Sequence, residues 1–419
     1  MKKNLLATGR TVLIFLVFFL CVTEHSPASR IIIQPLVAVQ EAAMDPGGRL
    51  RIAPKVSASS RYDSNFYNTA RDERGVFTYL MQPGIEMEYY TAKSSVTLGY
   101  TLDAYFYHDN DDVPIGQKDA DEDDYVGHTF HFNVRTAPFA KLSLELDEIY
   151  FKTREESKAD RFANDTSREK YYINRLTPGL FYRWNERFSS AVRYRSTITE
   201  YDRESDASSK ENRGIFDLTY HFSPLSSLTL DYQIWDRNYD VDISDYTSNQ
   251  VEMVYRKQAK HLGFEAGVGY HSRSFDDDSR DGTDALHYHA GLSAQTAKSR
   301  GELVFEENYN DAVTADDFYK ARKLNLSLGR TFGRYLDTGI SGFYQMNDYE
   351  DWMEYRSDPE NREDDIFGLS ASVRYKFARW LALGLEGGYE DRDSNLDAYD
   401  YDNKFIMLKV DSVYDAVRR

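Results

Sequence analysis

The chain has 419 residues, a formal net charge of −18, and 15% aromatic side chains that include 33 tyrosines. That length admits two or three ordinary domains or one large barrel, and a pI near 5 argues against general nucleic-acid binding. A mean hydropathy of −0.64 leaves residues 11–22 as the one stretch long and apolar enough to suggest a membrane helix, so abundant tyrosine and charge point instead to a barrel with a wet interior and an aromatic belt.

The N-terminus reads as a secretory signal peptide, residues 1–29. Lys2, Lys3 and Arg10 supply the positive end, Thr11 to Val22 the apolar core, and Ser26-Pro27-Ala28-Ser29 a small-residue region for cleavage. A permanent anchor is the weaker reading, because the apolar run is about half of the ~20 residues that a spanning helix needs. Phe18-Phe19-Leu20-Cys21 would fit a lipoprotein site except that bulky Leu20 precedes the cysteine. Cys21 is the single cysteine, so a chain cleaved after it has no disulfide and no thiol chemistry. Residues 30–50 are expected to form a short periplasmic segment, and 51–417 the barrel.

From Arg51 onward the chain alternates strand, short turn, strand and long loop. Strand one covers roughly 51–66. Strand two, 76–91, carries Phe77, Tyr79, Met81, Ile85, Met87 and Tyr89 on one face, because side chains on a strand point alternately to two sides. Thr91-Ala92-Lys93 turns into a third strand, where Val96, Leu98, Tyr100, Leu102, Ala104 and Phe106 alternate with Thr97, Gly99, Thr101, Asp103 and Tyr105. Further short turns are expected near Ala137-Pro138, Asn185-Glu186, Ser223-Pro224, Gln258-Ala259, Thr296-Lys298, Gly333-Arg334 and Ala378-Arg379. Eight such turns and an unpaired strand at each end predict an all-β, antiparallel, up-and-down transmembrane β-barrel of about 18 strands (16–20).

The pattern is clearest from Asp364 to Asp393. Phe367, Leu369, Ala371, Val373, Tyr375 and Phe377 share one face, opposite Gly368, Ser370, Ser372, Arg374 and Lys376. After the turn Leu381, Leu383, Leu385, Gly387 and Tyr389 alternate with Ala382, Gly384, Glu386, Gly388 and Glu390. An apolar band between aromatic ends is the layout of a membrane-spanning hairpin. Three turns, at 183–188, 330–335 and 376–380, put aromatics beside cations, as at a headgroup interface. A soluble sheet protein would need a second layer to bury these faces, and the sequence offers no helices to supply one.

Short turns alternating with long loops place the short turns on the periplasmic side and the long loops outside. The long loops are acidic: 109–112, 119–124, 276–284 and 393–402. They are expected to be solvated. Asp277-Asp278-Ser279-Arg280-Asp281-Gly282 partly matches a calcium loop, but its twelfth position is Tyr288 rather than Glu, which leaves weak divalent-ion binding as the lesser reading.

Arg61-Tyr62-Asp63-Ser64-Asn65 ends the first strand, and Tyr-rich hairpins follow. In this the chain resembles the putative β-barrel porin 2 family over about residues 51–417. The resemblance implies integral outer-membrane location in a Gram-negative envelope, a transport-type role often linked to exopolysaccharide gene clusters, and no catalytic residues. It also implies outer-membrane lipids and the barrel assembly machinery as partners. The chain departs from such barrels at its end, Val413-Tyr414-Asp415-Ala416-Val417-Arg418-Arg419, where they usually close on an aromatic residue.

No Gly-x-Ser-x-Gly, His-Glu-x-x-His or phosphate loop occurs, and the sequence gives no reason to expect a cofactor, a metal or an enzyme. His287 and His289 share a face about 7 Å apart and read as a hydrated lumen pair. Assigning the apolar parity to lipid turns Arg135, Arg175, Arg183, Arg193 and Arg195 inward from the fourth, sixth and seventh strands. The later strands contribute Asp217, Asp231, Glu252, Glu265, Glu302 and Glu306. These pore-lining candidates either form opposed charged walls, which would set selectivity, or pair with neighbours and stiffen the wall. Tyr105, Phe181 and Trp235 share the inward parity, where flat rings could stack on sugars. The expected function is a channel for exopolysaccharide export or oligosaccharide passage. The alternatives are a structural or adhesive barrel with acidic surface loops, and a barrel hydrolase.

Overall fold

The computed structural model describes residues 49–113, 117–154, 169–202, 208–240, 245–277, 282–311, 318–350, 362–414 and 417–418. The expected leader and most of the segment after it lie outside these residues, as does the centre of the calcium-like loop. The strands are β1 (Arg49–Asp63), β2 (Val76–Tyr90), β3 (Ser94–Asp109), β4 (Tyr125–Phe139), β5 (Leu142–Thr153), β6 (Tyr171–Arg183), β7 (Phe188–Tyr201), β8 (Ser209–Ser223) and β9 (Ser226–Tyr239). They continue as β10 (Tyr246–Gln258), β11 (Leu262–Phe275), β12 (Thr283–Gln295), β13 (Ser299–Asp311), β14 (Phe318–Phe332), β15 (Leu336–Glu350), β16 (Glu363–Ala378), β17 (Leu381–Ser394) and β18 (Tyr401–Val413). A two-residue strand β19 (Val417–Arg418) lies against Ile52 and Arg51.

Each strand pairs antiparallel with the next, and β1 pairs with β18 from Lys55 opposite Val413 to Asp63 opposite Phe405. The sheet is therefore a closed barrel of 18 strands with no open edge. Closure lets every strand satisfy its backbone groups without water, which is what permits β-structure in hydrocarbon.

Connections at one end are only two to four residues long. Gly333 there has φ +63°, a conformation that a Cβ disfavours. One turn differs from the sequence reading: β4 runs through Ala137 and Pro138 and turns at Ala140-Lys141. The ladder with β5 shifts register between Thr136 and Phe139, and a proline without an N–H is tolerated at such an irregularity.

The outer face carries the apolar parity, with Met81, Val192, Val268, Leu286, Leu292 and Ile406 each about half exposed. At the short-turn end Trp184, Tyr335, Phe377 and Trp380 are exposed, forming one aromatic girdle. At the other end outward tyrosines lay their rings on the belt and reach polar partners on the neighbouring strand. Tyr100 contacts His128 at 2.7 Å, and Tyr194, Tyr232 and Tyr344 donate to Asn212, Asn249 and Asp365 at 2.7, 3.0 and 2.9 Å. A ring in hydrocarbon with its hydroxyl in a polar layer is the preferred position of tyrosine at a membrane interface.

The motif at the end of β1 clasps the closure seam. Asp63 is 3% exposed and takes a two-pronged contact from Arg61 at 2.8 and 2.7 Å, plus a bond from Asn403 of β18 at 3.0 Å. Asn403 Oδ1 in turn accepts from the Asn65 amide at 3.1 Å, and Asn65 Oδ1 receives the Thr69 amide at 3.0 Å. The motif thus ties the first strand, the last strand and the first long loop together. Phe66 then packs with Val76, Tyr105, Tyr107, Ala120 and Tyr125, drawing the first and second long loops onto the inner wall.

The second long loop is less solvated than its acidity suggests. Asp109 pairs with Arg74, Asp123 with Lys118 (2.5 Å) and Arg154 (2.9 Å), while Asp111 and Asp124 accept the Gly75 and Tyr107 amides at 3.0 and 2.7 Å. These carboxylates fold the loop because backbone amides and arginines compete successfully with water for them. Among the described residues no group of three or more His, Cys, Asp or Glu side chains is disposed to hold a metal ion.

Candidate functional site

Parity places every residue of the expected set on the inner face, and the barrel sorts them by height. In the half nearer the long loops, β6 to β11 bring together Arg175, Arg195, Arg213, Arg237 and Arg273 around a cavity of about 240 Å³. Arg195 lies directly opposite Arg213 in the β7–β8 register, an arrangement of like charges that by itself destabilises a sheet. Among the described residues that line the cavity, Glu211 is the one carboxylate. It meets Arg213 at 3.0 Å and Arg237 at 3.6 Å. Arg273 donates to Ser248 Oγ at 3.1 Å and lies 4.0 Å above the Tyr246 ring. Among the described residues the guanidinium groups of Arg175 and Arg195 make no ion pair or hydrogen bond, and their Nε atoms are buried without partners.

Nearer mid-height the charges pair. Arg193 contacts Asp217 and lies 3.9 Å from Asp231. Glu265 holds Arg256 on one side and His289 Nε2 at 3.0 Å on the other, while His289 Nδ1 lies 2.8 Å from Glu252. His287 Nε2 stands 3.6 Å from Glu252 and 3.1 Å from Gln250 Nε2. The His289 imidazole and Glu252 Oε1 crowd over Gly267, where a Cβ would overlap both, so the glycine makes room for one ring to bridge two carboxylates. Glu306 joins this group around a cavity of about 220 Å³.

Toward the short turns Arg135 pairs with Glu145 at 2.6 Å, and Asn133 donates to Glu145 and Asp147 at 3.2 and 3.1 Å. Arg183 is exposed at the rim, and Glu302 is half-buried on β13. A cavity of about 430 Å³ opens among β12 to β18 and, across the closure seam, β1 and β2. On its wall Arg374 meets Asp411 at 3.3 Å and Lys376 meets Asp337 at 2.7 Å.

The two readings left open for the arginines therefore divide. Arg135 and Arg193 are paired with carboxylates on neighbouring strands, whereas Arg175 and Arg195 stand in an excess of positive charge. An arginine-rich layer thus lies above layers in which cations and anions pair with neighbours. Arg213, Arg237, Arg273 and Glu211 complete the upper group, and the same alternation on β8, β9 and β11 would have found them. Two of the three rings expected to be available for sugars are occupied. Trp235 packs against Arg213 (4.0 Å) and stacks with His271 (5.1 Å), and Tyr105 stacks on Tyr125 (4.6 Å). Ser189 Oγ lies 3.0 Å from His221 Nε2, but among the described residues no side chain orients the other ring nitrogen as a hydrolytic triad requires.

An apolar girdled belt outside, a closed 18-stranded sheet and a charged inner wall define a porin-type outer-membrane β-barrel. The chain belongs to the Putative beta-barrel porin 2 family, whose model matches residues 189–413. This is a family of porins, not of enzymes. No curated protein matches the sequence. Among solved structures, the chain is similar to Pseudomonas aeruginosa OpdK, crystallised with vanillate, at 10% identity and TM-score 0.47, covering 88% of this chain and 99% of that one. Pseudomonas aeruginosa OccK9 (OpdG) gives 12% identity and TM-score 0.47 over 87% and 98%, and Acinetobacter baumannii OccAB2 gives 11% and 0.47 over 90% and 100%.

Proposed function

We propose that this barrel, after leader cleavage and insertion by the barrel assembly machinery, is an outer-membrane channel for saccharides, passing oligosaccharides or letting an exopolysaccharide leave the cell. The observation that carries the reading is the inner face. Hydroxyl, amide and charged groups line cavities of about 240, 220 and 430 Å³ at successive heights, while the apolar parity faces out. Barrels of roughly 16–18 strands are wide enough to leave an aqueous channel, and hydroxyls and amides are the groups that exchange hydrogen bonds with sugars.

One feature favours a second reading, a structural or adhesive barrel. Near the long loops Tyr171, Tyr246, Ile366 and Gln345 are fully buried, and Phe66 and its neighbours fold inward, so the wall fills much of that mouth.

Liposome swelling separates the two. Vesicles carrying the folded full chain are expected to swell in isotonic mono-, di- and trisaccharides at rates that fall with size. Swelling no faster than that of empty vesicles would reject the channel and favour the structural barrel.

A further inference from the structure

We propose that the upper arginine group is a recognition site for a carboxylated sugar, such as one uronic acid unit. The inference rests on the saccharide reading above and adds the charge of the substrate. Among the described residues lining this cavity the one carboxylate, Glu211, is held by Arg213 and Arg237, which leaves Arg175 and Arg195 beside it without an ion pair. Burying a cation without a counter-ion is costly, and the Nε atoms of Arg175 and Arg195 are buried with no hydrogen-bond partner. A wall built at that cost is matched to an anion that arrives from solution. The guanidinium fork fits a carboxylate with two parallel bonds.

The remaining lining selects among organic anions. Trp235 and Tyr246 are each covered on one face by Arg213 and Arg273, at 4.0 Å, which withdraws those faces from an incoming apolar ring. Thr197, Thr199, Ser209, Gln250 and Asn308 also line the cavity, offering hydroxyl and amide groups for sugar hydroxyls. At about 240 Å³ it lies below the roughly 300–1,000 Å³ of sites for drug-sized ligands, which suits a single sugar ring. The layer below, where Asp217, Asp231, Glu252, Glu265 and Glu306 outnumber Arg193, Arg256 and His289, would repel the same carboxylate and keep its residence at the arginines short.

The test uses the folded full chain in detergent, titrated with glucuronate, glucose and sulfate, with heat release and tryptophan fluorescence as readouts. Glucuronate is expected to bind tighter than glucose by roughly tenfold or more, the worth of a charge-assisted hydrogen bond. Arg175→Gln with Arg195→Gln should remove that difference, and Arg195→Gln alone, should the double variant fail to fold, should reduce it. Equal binding of glucuronate and glucose by the wild type overturns the site even in a conducting barrel. Sulfate binding as tight as glucuronate overturns the sugar-acid assignment and leaves a general anion site. Tight glucuronate binding by a barrel that neither conducts nor swells vesicles would uphold the site and reject the channel.

Discussion

Leu385→Arg is expected to destabilise the barrel by about 2–4 kcal/mol, the cost of an arginine facing lipid near the bilayer midplane. Leu385 is 49% exposed on the outer face and lies between Val373 of β16 and Leu408 of β18, midway between the ring of Phe377 and Trp380 and that of Phe367 and Tyr389. Its sequence neighbour Glu386 points into the lower cavity, so Glu386→Gln should change stability by less than about 1 kcal/mol, as for an exchange in water. Urea titration of folding into vesicles measures both. Equal costs would contradict the assignment of Leu385 to lipid and Glu386 to the lumen.

Asp63→Ala should cost about 2–4 kcal/mol, because it strips a buried carboxylate from Arg61 and Asn403 and leaves their donors facing each other across the seam. The seam is the one place where strands far apart in sequence must meet, with Asp63 opposite Phe405. Losing the clasp should therefore slow barrel closure as well as lower stability. Asp63→Asn keeps an acceptor for Asn403 and should lose about half as much. An alanine variant that folds, and resists urea, as well as the parent would show that the motif is not a clasp.

The face of every strand was legible because a strand has a period of two and a lipid belt tolerates only one parity. Eight short turns were legible from polar breaks, except that β4 carries Pro138 inside the strand at a register shift. What alternation does not convey is height and stagger. Arg193 stands opposite Ile215 yet pairs with Asp217 one step along the face, a diagonal set by strand tilt. Arg195, two residues away, stands opposite another arginine. Identical residue types two positions apart thus have opposite electrostatic surroundings, and nothing local distinguishes them. The second long loop departs from the solvated reading for a related reason: Asp109 and Asp123 meet Arg74 and Arg154, partners supplied by other loops.

Single-channel recording of the purified, folded full chain in a planar bilayer under a salt gradient tests the account most directly. Discrete conductance steps are predicted, interrupted by glucuronate added on the long-loop side, with a reversal potential that moves toward cation preference when Arg175 and Arg195 are both replaced by glutamine. A bilayer that stays silent, while the same preparation migrates on unheated SDS gels as a folded barrel, would contradict the claim that this barrel is a channel.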